Sequence, residues 1–288
     1  MTTPIPLSEL STAIGQLADQ SLLRDRAAAR AIVAQLFAAL EQGDVRAATR
    51  EADGWRAVEW VKQGILLAFR VGETKMFPDD ESQDTLFRFF DRDTLPLRNT
   101  KGIAENVRIV PGGSSVRAGV YLGPQVVIMP PAYVNVGAWV GEGSMVDSHV
   151  LVGSCAQIGA KVHLSAGAQI GGVLEPIGLR PVIIEDEAMI GANVGVFEGV
   201  LVGRRAVIAP GVQLTSATPL FDLVKGVVYR SREGDPLTVP EGAVVVPGTR
   251  PAQGSFAREQ GLQLYAPIVV KYRDDKTDAA TTLEEVLR

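Results

Sequence analysis

The chain is poor in cysteine, histidine and aromatic residues. Its single cysteine, Cys155, cannot close an intrachain disulfide, which argues against a secreted, disulfide-stapled scaffold. Its two histidines, His149 and His163, cannot supply a three-histidine zinc site, because such a site needs three distinct ligand positions even when neighbouring chains share it. No metal is expected. Nine Phe, five Tyr and three Trp among 288 residues are too few for a bulky aromatic core. Positive charge is also in deficit, with 28 Lys and Arg against 33 Asp and Glu. No sequence-wide field exists to hold a nucleic-acid backbone, so nucleic acid is not an expected partner. The best apolar stretch, residues 64–69, is far short of the roughly 20 residues that span a bilayer. No membrane partner is expected either. The N-terminus lacks a charged segment followed by an apolar one, and a cytoplasmic protein is the expectation.

Glycine is plentiful, at 30 residues, which suits close backbone packing and directs attention to internal repeats. A branched aliphatic recurs every sixth residue through Val110, Val116, Leu122, Ile128, Val134, Val140, Val146, Val152, Ile158, Leu164 and Ile170. A Pro-rich insertion at 175–181 interrupts the register, which resumes as Ile184, Ile190, Val196, Val202, Ile208 and Leu214. Two residues before each aliphatic after the first stands Ala, Val or Ser, from Ser114 to Val212. A period of six is neither helical nor that of a simple strand, so very short strands must alternate with tight corners. Gly follows the aliphatic at Gly123, Gly141, Gly153, Gly159, Gly171, Gly191 and Gly203, which predicts turning backbone there. Three six-residue sides close a triangular coil, and each aliphatic should stack on the one 18 residues away, Val146 on Ile128 and Ile128 on Val110. The pattern resembles the hexapeptide-repeat acyltransferases. That resemblance implies a left-handed parallel β-helix, a prism also used by γ-class carbonic anhydrases and nucleotidyltransferase appendages.

The expected architecture is mainly β, a prism at 101–222 between an N-terminal, mainly helical domain at 1–100 and a small C-terminal β/α extension at 223–288. Residues 10–40 carry Ala and Leu at helical spacing and end before Gly43, which predicts one or two helices with a Gly stop. Residues 55–69 give a second helical pattern packed through Trp60, Ile65, Leu66 and Phe69. After the prism, 227–229 and 237–239 flank a turn at Gly234, predicting a hairpin or loop excursion. Residues 243–246 and 262–272 read as strands, and Thr282 with Glu285 forms a capping-box pattern for a short final helix.

Chemistry should appear where the repeat is broken. Asp147 occupies the slot after Val146 where seven other units have Gly; from spacing alone it reads equally as a corner carboxylate capping backbone amides. Glu175 opens the insertion and Glu198 follows Phe197; either can face a groove or be a solvated turn. His149 and His163 are possible general bases, since an unperturbed imidazole titrates near neutrality, though an arbitrary histidine is more often structural.

The strings at 132–138, 143–147, 153–159, 162–165 and 171–176, with Trp60-Val61-Lys62, Phe69-Arg70 and Val244-Val245-Val246, are similar to the tetrahydrodipicolinate N-succinyltransferases along most of the chain. The resemblance implies transfer of succinyl from succinyl-CoA to the amine of a ring-opened cyclic dicarboxylate in lysine and diaminopimelate synthesis. It also implies a homotrimer with sites between adjacent prisms. Asp147 then matches the family's acidic residue, able to orient and deprotonate the amine. Arg108 matches a substrate-binding arginine suited to pairing with a carboxylate, and Ser154 and Glu175 are further acceptor contacts. The pantetheine arm is expected over Gly171 and Gly172, with Lys225 and Arg230 toward the nucleotide phosphates. Many members carry another Glu three residues before Glu198, where this chain has Gly195. Glu198 or a water would take its catalytic part, and acetyl-CoA stays open as donor, since the acetyl-transferring branch also lacks that Glu. A related enzyme acting on a different amine, or a scaffold without activity, are the competing readings.

Overall fold

The computed structural model describes residues 5–20, 25–77, 89–232 and 235–274. The N-terminal helices are α1 (Leu7–Ala18), α2 (Arg26–Gln42) and α3 (Glu59–Val71). The Asp25 carboxylate caps α2 by accepting the Ala28 N–H at 2.9 Å, and Gly43 ends it with φ of 83°, as the Gly stop predicts. Leu10 and Ile14 of α1, Val33, Leu36 and Leu40 of α2, and Ile65 and Ala68 of α3 share one buried cluster, which also takes in Ala118, Val136 and Cys155 of the prism. Trp55 does not open the second helix. It lies in the hairpin Ala48–Glu51 and Gly54–Ala57, closed by the two-residue turn Ala52-Asp53; the helix begins four residues later.

Residues 108–214 wind through two-residue strands that stack in parallel into three faces. Face one runs through Arg108–Ile109, Val127–Ile128, Met145–Val146, His163–Leu164, Met189–Ile190 and Val207–Ile208. Face two runs from Ser115–Val116 to Gln213–Leu214 and face three from Tyr121–Leu122 to Thr238–Val239. Partners sit 18 residues apart, as in Val127 with Met145 and Met145 with His163. The insertion lengthens one coil to 26, pairing Gln157 with Ile183, after which 18 returns with Ile183 against Leu201. The stacked aliphatics from Val116 to Leu214 are all buried in a single core with the Ala and Val residues two places before them. The first coil is offset by one residue, so Ile109 rather than Val110 lies opposite Ile128.

The glycines after the aliphatics have a different cause from the one expected. None of Gly123, Gly141, Gly153, Gly159, Gly171, Gly191 and Gly203 has positive φ; the left-handed corner is the third residue after the aliphatic, held by Gly137 and Gly143 but also by Gln125, His149, Cys155 and Lys161. The glycine slot is instead crowded by the next coil's backbone. A Cβ on Gly153 would lie 2.1 Å from the Gly172 nitrogen, and one on Gly141 would lie 2.5 Å from the Gly159 carbonyl carbon.

The ladders continue past residue 222, where the prism was expected to end. Thr238–Val239 rejoins face three, and Ala243–Pro251 extends face one before pairing antiparallel with Gln263–Tyr272. Val227–Tyr229 pairs with Leu220–Asp222 rather than with 237–239. Asp222 is buried at this junction. Its carboxylate accepts the amides of Val224 and Lys225, each at 2.9 Å, and the hydroxyls of Tyr229 and Tyr272. The expected helix at 282–288, and Gly234 of the expected turn, lie outside the described residues.

Two predictions follow from packing and charge. Gly153→Ala should lower stability by about 1–3 kcal/mol through overpacking, whereas Gly15→Ala, in mid-α1 with nothing within 4 Å of the new methyl, should raise it by about 0.5–1 kcal/mol; urea midpoints compare them. Arg30 donates to both oxygens of Asp93 at 3.1 and 2.7 Å and holds that carboxyl far below the usual carboxylate range, helped by the Glu73 amide and Lys75. A folded carboxyl more acidic than the unfolded one stabilises fully above the ordinary carboxylate pKa, and that contribution is lost as the pH falls. The melting temperature of Asp93→Asn should therefore lie below that of the wild type near about pH 6, and the gap should narrow toward about pH 3.

Candidate active site

The prism sorts the expected residues onto two edges. Asp147 follows the face-one strand Met145–Val146, on the edge where the chain turns to face two. It is half-buried, its amide donates to the Leu164 carbonyl at 3.0 Å, and its Oδ1 accepts the Ser148 N–H at 2.7 Å. The Asp147 slot on this edge holds Met129 one coil before and Ser165 one coil after, so Asp147 is not an intruder among glycines; the glycine slots belong mainly to the other two edges. Arg108 is exposed on the same face, two ladder steps from Met145 through Val127, or roughly 10 Å at the usual strand spacing. It borders a cavity of about 440 Å³ with Ile103, Asn106, Gln125 and Val127. His163 is exposed in the same column between Met145 and Met189, and His149 is exposed on the corner beyond Asp147 with φ of 61°.

The second group lies on the edge between faces two and three. Ser154, Gly172, Glu198 and Ser216 occupy one slot in successive coils, at steps set by the pairing of Leu151 with Gln169, Gln169 with Gly195 and Gly195 with Gln213. Ser154 and Gly172 touch, since a Cβ on Gly172 would lie 2.4 Å from the Ser154 nitrogen. Glu198 is exposed and accepts the amide of Ser216 at 3.0 Å and its hydroxyl. Glu175 is exposed on the excursion that leaves this edge. Within one chain, then, Asp147 and Arg108 are not brought together with Ser154, Gly171, Gly172, Glu175 and Glu198.

Gly195 is buried, and the space a side chain would need is filled. A Cβ there would lie 2.2 Å from the Gln213 Oε1 and 2.4 Å from the Phe197 Cε2, and one on Gly171 would lie 2.8 Å from the same ring. An aromatic ring thus covers both glycines. Lys225 places its ammonium 4.3 Å from the Tyr272 ring centre, and Arg230 is exposed beside Tyr229, Arg232 and Asp235, so both lie on the extension beyond Leu214. Cys155 is fully buried, and burial pushes its thiol up to about 12, which removes it as a nucleophile. Among the described residues no group of three or more His, Cys, Asp or Glu could hold a metal ion.

Two features were missed in the sequence. Face three meets the N-terminal hairpin around a cavity of about 450 Å³ lined by Arg46, Trp55, Tyr121, Trp139, Gln157 and Glu185. There Tyr121 and Trp139 stack at 3.7 Å, and Arg46 lies 4.0 Å over Trp139 while its Nε donates to Gln157 at 2.9 Å. Burial lowers the Arg46 guanidinium to about 10. The 18-residue spacing of Tyr121 and Trp139 was the available signal. The second is Lys62, wholly buried with its ammonium donating to the Leu179 carbonyl; apolar helical spacing gave no hint of it.

The family model for the tetrahydrodipicolinate N-succinyltransferase N-terminal region matches residues 10–71, and the model for the hexapeptide repeat of succinyl-transferase matches residues 181–216. The chain is 39% identical over 297 aligned residues to a 2,3,4,5-tetrahydropyridine-2,6-dicarboxylate N-succinyltransferase of Dechloromonas aromatica (strain RCB), covering 100% of both chains. It is 42% identical to the enzyme of that name from Polynucleobacter asymbioticus and 40% identical to that from Bradyrhizobium diazoefficiens, each over 90% of both chains. The chain belongs to the tetrahydrodipicolinate N-succinyltransferase family.

Proposed function

We propose that this protein transfers the succinyl group of succinyl-CoA to the amine of ring-opened tetrahydrodipicolinate, L-2-amino-6-oxopimelate, in lysine and diaminopimelate synthesis. The observation that carries this reading is the 39% identity to a succinyltransferase over the full length of both chains. The hexapeptide match at 181–216 supports a left-handed coil for the three-faced prism. The lone, buried Cys155 is in keeping with a reducing cytoplasm.

The amine attacks the thioester carbonyl only after losing a proton. The free Oδ2 of Asp147, whose other oxygen is fixed by the Ser148 amide, is suited to accept it. As the C–N bond forms, the carbonyl oxygen gains negative charge, for which backbone N–H groups on the prism edge are the natural donors. Collapse breaks the C–S bond while the nitrogen sheds its second proton, which passes to the thiolate, leaving amide and thiol. Glu198 is the second carboxylate of the site, Arg108 pairs with an acceptor carboxylate, and Ser154 and Glu175 contact the acceptor. Gly171 and Gly172 are the wall along which the pantetheine arm lies, and Lys225 and Arg230 face the phosphates.

Asp147 and Glu198 stand on different edges of one prism, which supports a homotrimer in which one edge of each prism faces the other edge of its neighbour. The Phe197 ring over Gly195, in place of a further carboxylate, is the observation that favours a second reading with acetyl-CoA as donor.

Asp147→Asn should fold normally and lose at least about 100-fold in kcat, the usual scale for a general base; near wild-type turnover would remove Asp147 from the mechanism. Thiol release with succinyl-CoA against acetyl-CoA should favour the succinyl donor, and the reverse preference would establish the second reading. Co-expression of Asp147→Asn with Glu198→Gln chains should restore about a quarter of wild-type activity in randomly mixed trimers if each site joins two subunits. No restoration is expected if one chain supplies both carboxylates.

A further inference from the structure

Three charged residues are buried among the described residues. Arg98 is paired with Glu105 at 2.8 Å, and Asp222 accepts two amides and two phenols. Lys62 has no salt-bridge partner among the described residues; the carboxylate that acts on it is Glu59, one turn earlier on α3. It is wholly buried in α3, and its ammonium donates to one backbone carbonyl, that of Leu179. Nearby Cys155 is not its counter-ion, because burial keeps that thiol protonated. Burial likewise holds the Lys62 ammonium below its ordinary range. An ammonium without a paired carboxylate is a costly way to fill a core position that an apolar side chain of similar length would fill well.

Its acceptor explains the choice. Leu179 belongs to the excursion that leaves face two after Ile170 and returns at Ile183. Other contacts hold this segment at separate points. The Val173 amide donates to the Ser154 carbonyl at 3.2 Å, and Leu174 packs against the helical core. Gly178 lies so near Glu59 of α3 that a Cβ would sit 3.2 Å from its Oε1. On the prism side, Arg180 donates to the Gly199 carbonyl at 3.2 and 3.1 Å and to the Pro236 carbonyl at 3.3 Å, directly behind Glu198.

We infer that Lys62 is a positioning residue for acyl transfer: through the Leu179 carbonyl, α3 fixes the base of the excursion and so sets where Gly172 and Glu175 stand beside Ser154 and Glu198. The inference rests on the acyltransferase reading for its kinetic consequence but not for the tether itself. A donor reaching a carbonyl is what lysine supplies and methionine cannot, so the full chain carrying Lys62→Met separates grip from packing.

Amide hydrogen exchange at residues 173–179 should quicken by about tenfold or more in Lys62→Met, while ladder amides such as Leu151 and Gly153 keep wild-type rates. The KM for succinyl-CoA should rise by about tenfold and the KM for the amine acceptor should rise with it, since Gly172 and Glu175 shift together, with kcat within about twofold of wild type. Lys62→Gln, which keeps a neutral donor, should recover part of both; it also serves in place of Lys62→Met if that variant does not fold. Unchanged exchange at 173–179, acceleration that spreads through the ladders, or an unmoved KM with an altered kcat would each overturn the inference. A wild-type enzyme inert toward succinyl-CoA would instead overturn the acyltransferase reading, and exchange alone would then decide the tether.

Discussion

A column of Val, Ile and Leu side chains, one from every sixth residue, is what allows strands of two residues to persist in this chain. A strand that short makes too few hydrogen bonds to hold itself extended, and an isolated coil cannot bury its inner face. Stacking answers both needs, because each coil accepts the next coil's amides and closes the apolar column above it. The constraint is strict in register and loose in length. Insertions lengthen coils from 18 residues to 26 at Gln157–Ile183 and to 37 at Leu201–Thr238, yet each re-enters at the position that returns its aliphatic to the column.

The same stacking governs the corners. Adjacent coils approach until backbone meets backbone, which excludes a Cβ at Gly153 and Gly141, while the left-handed residue of each corner tolerates Gln125, His149 or Lys161 as well as glycine. Side chains at these corners point outward along straight edges. The prism therefore acts as a ruled scaffold on which Ser154, Gly172, Glu198 and Ser216 line up without any local sequence motif joining them.

Polar groups carry the junctions that the column cannot. Arg46, set against Trp139 and bonded to Gln157, joins the helical domain to face three. Asp222 gathers Tyr229 and Tyr272 where the C-terminal strands leave the prism, and Lys62 reaches from α3 to the excursion. Each is buried or half-buried, so each must be satisfied by hydrogen-bond partners, and each has at least one that is distant in sequence. These partnerships tie together segments from different parts of the chain, and the excursion beside the second edge is one of them.

Much of the fold was legible in the sequence because stacking depends on a strict period, and a period survives in one dimension. The aliphatic column, the interruption at 175–181, the stop at Gly43 and the strands at 243–246 and 262–272 all follow from local pattern. Asp147 was singled out from that pattern, but for an incomplete reason, since the glycine slot differs from edge to edge and one period cannot say which edge a residue is on. The continuation of the prism through Thr238–Val239 was hidden because an insertion erases the spacing that would announce it. The separation of Asp147 and Arg108 from Ser154 and Glu198, and the placing of Lys62 against Leu179, were decided by tertiary structure alone. Their partners lie up to 117 residues apart, and contacts at that range obey the geometry of stacked coils rather than any interval in the chain.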